Sequence, residues 1–392
     1  MKKFNFDTIN PRRGSGSYKW DTFEDNEVIP LWVADMDFKT APCIIEALAK
    51  RVNEGIFGYT FVPDSYYESV INWFSTRHSL RVGKEDMIYT TGVVPAISAI
   101  IKAFTQPGDK VIIQTPAYNC FFSSVRNNDC LLAENHLILK DNKFFMDFED
   151  LEEKASDPDA KLLLLCNPHN PTGRTWTREE LIRIGEICFR HDVIVVSDEI
   201  HCELVYAPNK YIPFASISEE FKFKSVTCTS PSKAFNIAGL QIANIFVNNP
   251  EWKQKIDKAI NINEVCDVNP FGVIALTEAY THGEEWLEAV KDYIYKNYLY
   301  LRDRIEIELP DFKLADLEGT YLAWLDCGVL DYESEEIVEY LLHNYKVLLN
   351  SGKMYHDKSD SFIRINLATS RIILEKGTDR LISGLKQLKT LK

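Results

Sequence analysis

The chain has 392 residues, 45% of them hydrophobic and 26% charged, with a formal net charge of −14. That length accommodates about two or three domains around a large core, and the acidic balance excludes a sequence-independent grip on nucleic acid or on anionic lipid. Nine cysteines without a Cys-x-x-Cys pair read as free and mostly buried thiols; no apolar run approaches the ~20 residues of a membrane span and none follows the basic start, which predicts a cytoplasmic protein.

Residues 1–40 read as an irregular, aromatic arm, with a turn cluster at Pro11-Arg12-Arg13-Gly14-Ser15-Gly16 and an apolar stretch from Leu31 to Ala34 that ends in Asp35-Met36-Asp37. Apolar residues recur at helical spacing from Thr40 to Glu54, with Pro42 where a first turn tolerates it, and again from Tyr66 to Arg77. The segment from Ile88 to Gly92 leads into a helix from Val93 through Phe104, whose unpaired first N–H groups suit a phosphate. Strands are then predicted at Lys110 to Gln114, Leu131 to Leu137 and Leu162 to Cys166, a helix at Arg178 to His191, and strands at Val193 to Val196, Ser225 to Cys228 and Gln241 to Val247. This rhythm predicts an α/β fold, a mainly parallel sheet with helices on both faces.

From Glu251 the pattern is helical through Ile307. Strand signals at Leu322 to Leu325, Lys346 to Leu349 and Phe362 to Asn366 then surround a helix at Ser334 to Asn344, before a last helix. This predicts a smaller α+β domain packed with the N-terminal arm. The expected division is 1–45 for the arm and part of the small domain, 46–285 for the large domain and 286–392 for the small one.

Three motifs follow predicted buried strands: Asn167 to Gly173 (Asn-Pro-His-Asn-Pro-Thr-Gly), Ser197-Asp198-Glu199-Ile200-His201, and Ser230 to Asn236 (Ser-Pro-Ser-Lys-Ala-Phe-Asn). In an open α/β sheet the carboxyl ends of the strands converge on one crevice, which would receive an amide, a carboxylate and a lysine. That set suits pyridoxal phosphate. Lys233 can condense with the cofactor aldehyde, Asp198 can keep the pyridine nitrogen protonated, and the Asn170 amide can donate to the ring oxygen. The alternation from Phe362 to Asn366 sets Arg364 on the face opposite Ile363 and Ile365, as a residue aimed into a cleft. His201 reads equally as a core histidine satisfied by backbone groups. No spacing of His, Cys and carboxylate residues reads as a metal site.

Pro116-Ala117-Tyr118, the Asn167 to Gly173 motif, Asp198 to His201, Ser230 to Lys233 and Arg364 occur in the order seen in fold-type I pyridoxal-phosphate enzymes, which the chain resembles over nearly its full length. Within that superfamily, Trp32 to Phe38, Gly58-Tyr59-Thr60, Gly92 to Pro95, His201 and Ser230 to Leu240 are similar to the MalY/PatB group of cystathionine β-lyases, also called C–S lyases. The resemblance implies the fold-type I transferase fold and an α,β-elimination on a cysteine S-conjugate, L-cystathionine giving homocysteine, pyruvate and ammonia. It implies that Lys233 carries the cofactor and later takes the Cα proton, that Asp198 faces the ring nitrogen and Asn170 the ring oxygen, and that Tyr118 stacks on the ring. It further implies that the backbone amides of Val93 and Val94, with Ser230 and Ser232, hold the phosphate, that Tyr59 reaches it from the other subunit of a homodimer, that Arg364 clamps the substrate carboxylate, and that Asp35 lies on the substrate side. Tyr118 and the Lys233 ammonium are both candidates to protonate the leaving thiolate.

Two positions depart from the aminotransferase pattern. Gln241 stands where many relatives carry a phosphate-binding arginine, so neutral donors or helix N-termini must meet that charge. His201 replaces a tyrosine, which favours the lyase branch and marks His201 as a cofactor-side residue. An aminotransferase on the same scaffold is the alternative reading; a cofactor-bearing regulator that binds another protein, with secondary lyase activity, is a third.

Overall fold

The computed structural model describes residues 4–262, 264 and 268–391; Met1 to Lys3 and Cys266, which enter the sequence reading, lie outside the described residues. A seven-stranded sheet runs in the spatial order Met87–Thr90, Ala243–Phe246, Ser225–Thr229, Ile194–Asp198, Ala160–Cys166, Lys110–Thr115, Leu131–His136. The last five pair in parallel, and Ala243–Phe246 alone runs against both its neighbours.

The continuous leucine run reflects burial from both sides. Leu162 to Leu165 are at most 1% exposed, and successive side chains point to opposite faces, Leu163 and Leu165 into one core cluster, Leu162 and Leu164 into another. Each such side chain contributes about 1.5–3 kcal/mol by leaving water. The expected strand from Gln241 starts later, at Ala243, because Gln241 closes a short helical turn in the left-handed conformation (φ 52°).

A second, antiparallel sheet is ordered Lys313–Leu314, Leu322–Asp326, Phe362–Asn366, Asn350–Ser351. The N-terminal arm is pinned to this unit: Ile29–Pro30 pairs in parallel with Val347–Leu348, and Asp37 N–H donates to the Ala368 carbonyl at 2.9 Å. The arm is less irregular than expected, holding a short helix at Tyr18–Asp21 capped by Ser17. The expected helical stretch from Glu251 is three helices, Pro250–Asn261, Pro270–His282 and Glu284–Glu308. Positions 45 and 285 lie inside the helices Pro42–Glu54 and Glu284–Glu308.

Sequence periodicity misses the short helix Glu219–Phe223, two longer helices and a hairpin. Asn119–Arg126 and Phe148–Ala155 have eight residues each, too short to stand out as periodic. Asp147 caps the second through Glu149 and Asp150 N–H, a legible start signal. The hairpin Ile138–Lys140 with Lys143–Phe145 turns at Asp141-Asn142, both at positive φ.

Candidate active site

Three adjacent parallel strands, ending near Cys166, Asp198 and Thr229, open onto a cavity of about 180 Å³ lined by Tyr118, Asn170, Asp198, His201, Ser232 and Lys233 together with Val93 and Val94. Asp198 ends its strand almost fully buried and accepts the Ile200 N–H at 3.1 Å. Burial pushes its carboxyl up to about 7, with Glu199 adding to the rise while the Ile200 N–H and Lys233 oppose it. Glu199 faces away, holding Ser197 at 2.8 Å and the Phe214 N–H at 2.9 Å.

Lys233 sits in a turn after the next strand, where Phe235 N–H reaches the Pro231 carbonyl at 2.9 Å. Its Nζ donates to the Ala34 carbonyl at 2.9 Å. Burial and then the Arg364 charge lower its pKa, against Asp35 and Asp198, which favours the neutral amine that a nucleophile or base requires. His201 is buried and held neutral, its pKa lowered to about 3 by burial and then by Lys233 and Arg364. Its Nδ1 has no hydrogen-bond partner, so no backbone group satisfies that nitrogen.

Gly92 precedes the helix Val93–Phe104 without a side-chain cap, so its first N–H groups lack an intrahelical partner where Val93 and Val94 line the cavity. Asn170 Oδ1 accepts Arg364 Nη1 at 3.1 Å, so its Nδ2 hydrogens remain as donors. Its loop closes at Gly173, which suits only glycine: its φ is +73°, and a Cβ there would lie 3.1 Å from Leu317 Cδ1. Arg364, 3% exposed, also donates from Nη2 to the Trp32 carbonyl at 2.9 Å and lies 5.0 Å over the Tyr355 ring. Tyr118 stands at the N-terminal flank of the Asn119–Arg126 helix without a side-chain cap bond, and burial, then the Cys120 thiol, raise its hydroxyl pKa.

Of the expected site residues, Ser230, Asp35 and Tyr59 stand elsewhere, and Arg364 is outside the cavity lining and meets it through Asn170. Ser230 does not line the cavity; its hydroxyl donates to the Ile242 carbonyl at 2.5 Å, and it accepts the Ser232 N–H at 3.0 Å. Asp35 is committed to Arg12 at 2.6 Å and lies 3.6 Å from Lys19, beside Asp37, which takes Lys19 at 3.0 Å. Burial would raise the Asp37 carboxyl, but Lys19, Trp20 and Arg12 hold it below the usual range. Tyr59 is 95% exposed on this chain, and Gln241 is exposed outside the cavity.

Sequence reasoning singles out Asp35 where the neighbouring Ala34 carbonyl is the group in place: it accepts both Lys233 Nζ and, at 2.8 Å, the Tyr321 hydroxyl. A backbone acceptor leaves no residue-type signal. Sequence reasoning misses Tyr321 and Cys120 as well, Cys120 because it misses the helix that carries it. Two groups of ligand-type atoms also converge without any sequence spacing, His78/Cys202/Glu203 and Glu134/His136/His356. In the first, Glu203 is already taken by Trp73, Arg77 and His78; in the second, His356 Nδ1 accepts the Lys358 N–H and Nε2 meets Glu134 at 2.6 Å. Among the described residues no helix is long and apolar enough to cross a membrane.

The family described as aminotransferase class I and II matches residues 26–381. Cystathionine beta-lyase PatB of Bacillus subtilis is 40% identical over 97% of this chain and 100% of its own length. Protein MalY of Escherichia coli is 32% identical over 98% and 100%. The crystal structure of the pyridoxal-phosphate-bound C–S lyase from Staphylococcus hominis superposes with a TM-score of 0.91 at 33% identity, over 97% of this chain and 99% of that one.

Proposed function

The chain belongs to the class I and II aminotransferase family, and from that premise we infer a pyridoxal-phosphate-dependent carbon–sulfur lyase that cleaves cysteine S-conjugates, L-cystathionine the simplest, to a thiol, pyruvate and ammonia. Its large-scale likeness is to proteins named for that reaction. The observation that carries the reading is one buried cavity holding a lysine amine, a carboxyl pushed up to about 7 and an unpartnered imidazole nitrogen. Such a set lacks its complement, and pyridoxal phosphate fits it: a cationic ring nitrogen would relieve Asp198, and a phosphate would meet the free N–H groups at Val93 and Val94 and the Ser232 hydroxyl.

When bound, the cofactor supplies an aldehyde for the substrate amine and a protonated ring that withdraws the electrons left at Cα. Lys233 Nζ would hold the cofactor and then take the Cα proton, its lowered pKa suiting a base. Asp198 would keep the proton on the ring nitrogen, and Asn170, whose Oδ1 is held by Arg364, would donate from Nδ2 to the ring oxygen. Tyr118, in the cavity lining, would cover the ring face. Arg364 takes the substrate carboxylate in its planar fork, with the Trp32 carbonyl and Asn170 fixing the plane. Ser230 positions Ser232, and Asp35 acts through the ion cluster that holds the Ala34 carbonyl in place.

The reading extends to a homodimer and to the cytoplasm. Ile56, Phe57, Tyr59 and Phe61 form an exposed apolar run of the kind that marks a subunit interface, from which Tyr59 would reach the phosphate held by the other subunit. The divisions near 45 and 285 then separate a cofactor-bearing unit from one carrying Arg364.

The test is pyruvate release from L-cystathionine without any keto-acid acceptor, beside acceptor-dependent consumption of an amino acid without a leaving group. Release without acceptor is expected; if only the second reaction runs at a substantial rate, the protein is an aminotransferase.

A further inference from the structure

The segment from Trp32 to Asp35 lies in no helix or strand, so its carbonyls find donors on side chains. The small sheet supplies three of them. Arg364 Nη2 donates to the Trp32 carbonyl at 2.9 Å, Asn366 Nδ2 to the Val33 and Asp35 carbonyls at 2.5 and 2.7 Å, and the Tyr321 hydroxyl to the Ala34 carbonyl at 2.8 Å. Arg364 and Asn366 stand two apart on one strand and so share a face, and Leu322, next to Tyr321, pairs with Asn366 across the ladder. Of the four residues held in this way, Ala34 lines the cavity. Its carbonyl also accepts Lys233 Nζ at 2.9 Å, so Tyr321 and Lys233 take up both lone pairs of one oxygen. Tyr321 is fully buried outside the cavity lining, its own carbonyl held by the Leu367 N–H at 2.9 Å and its ring edge-on to His201 at 6.1 Å.

We propose that Tyr321 is a positioning residue for proton transfer at Cα: it fixes the Ala34 carbonyl, and that carbonyl holds the Lys233 amine once the substrate amine has taken its place on the cofactor. The proposal rests on the reading above in which Lys233 takes the Cα proton. A neutral amine carries two hydrogens and one lone pair. With one hydrogen held on a fixed oxygen, rotation about the last bond of the lysine side chain is restricted and the lone pair has a set direction; on taking the Cα proton the amine becomes an ammonium that keeps the same hydrogen bond. The acceptor must stay in place while Lys233 is joined to the cofactor, and a carbonyl held by Lys233 alone would be released whenever the lysine leaves. Tyr321 supplies the donor that stays, and burial, which raises its hydroxyl well above the ordinary range, keeps it protonated.

Exchange of the Cα hydrogen of L-alanine, which has no leaving group, with deuterium oxide reads this step apart from elimination. In the holoenzyme Tyr321→Phe, which keeps the buried ring and removes the hydroxyl, is expected to slow that exchange at saturating L-alanine by about tenfold or more, as misplacing a reacting group by about 1 Å does, and to leave the half-saturating concentration within about twofold. The control is Tyr206→Phe: the buried Tyr206 hydroxyl donates to the Thr320 carbonyl at 2.7 Å, one residue from Tyr321 and not to Ala34, so its exchange should match that of the parent. A second readout needs no cofactor. In the apoprotein, the pH at which acetic anhydride modifies Lys233, followed by mass analysis of its peptide, should rise in Tyr321→Phe and stay in Tyr206→Phe, because the O–H dipole that Tyr321 directs at the shared oxygen weakens the hold of that oxygen on the ammonium. Unchanged exchange in Tyr321→Phe, an equal fall in Tyr206→Phe, or an unmoved labelling profile of Lys233 overturns the positioning role and leaves the elimination reading to acceptor-free pyruvate release. Slowed exchange with a moved labelling profile, in a protein that releases no pyruvate from any conjugate, keeps the positioning role and overturns the elimination reading.

Discussion

Arg364→Lys isolates the fork geometry from the charge. The guanidinium spends Nη1 on Asn170 Oδ1 at 3.1 Å and Nη2 on the Trp32 carbonyl at 2.9 Å, while Nε and the second hydrogens of both Nη atoms remain for a carboxylate. A lysine ammonium keeps the charge but meets a carboxylate at one point and cannot keep both anchors. Losing one of two charge-assisted hydrogen bonds costs about 1.5–3 kcal/mol, which converts to a fall in kcat/KM of about tenfold to a hundredfold. Most of it should appear as a raised KM in a coupled pyruvate assay over a range of L-cystathionine concentrations. Asn170 also loses the donor that orients its amide, so the cofactor absorbance of the variant should shift even without substrate. A variant with kcat/KM within about twofold of the parent enzyme, and with an unshifted cofactor spectrum, would refute both the carboxylate clamp and the orientation of Asn170 by Arg364.

Asp198→Asn preserves the shape of the cavity and removes the proton-holding carboxyl; cofactor should stay bound while kcat falls at least about a thousandfold, roughly 4 kcal/mol of barrier, and near-normal turnover rejects the role. Tyr59→Ala should leave the fold of the single chain within about 0.5 kcal/mol, as expected of a fully exposed side chain, yet weaken cofactor binding in the dimer; unchanged cofactor affinity, or a fully active monomer in sedimentation, excludes the shared site. Glu203 is buried, which alone would raise its carboxyl, but His78, Arg77 and Trp73 hold it down to about 2. A depressed carboxyl contributes stability that is present above its unfolded pKa and lost as pH falls from about 4.5 toward 2, here of order 3 kcal/mol. Glu203→Gln should therefore lower the melting temperature at neutral pH and flatten its fall in acid; parallel melting curves for the two proteins across that window would show that the cluster does not carry this stability.

The strands of the large sheet are legible because burial on both faces makes them continuous apolar runs, and the chemistry follows at once in sequence: Asn170, Asp198 and Lys233 each come within five residues of the strand that delivers them. The start of the Val93 helix is legible for the same local reason. The Asn119–Arg126 helix is not, since eight residues carry too little periodicity, and Cys120 is hidden with it.

What the sequence by itself determined was therefore the set of reactive groups and the strand ends that present them, because alternation, apolar runs and turn residues are encoded over a few neighbours. The tertiary structure alone decided which groups meet. The Ala34 carbonyl reaches Lys233 across 199 residues and Arg364 reaches Asn170 across 194, while Asp35, next to Ala34, turns instead to Arg12 and Lys19. Those pairings depend on how the arm and the small sheet seat against the large one, and a backbone carbonyl accepts a hydrogen bond whatever side chain its residue bears.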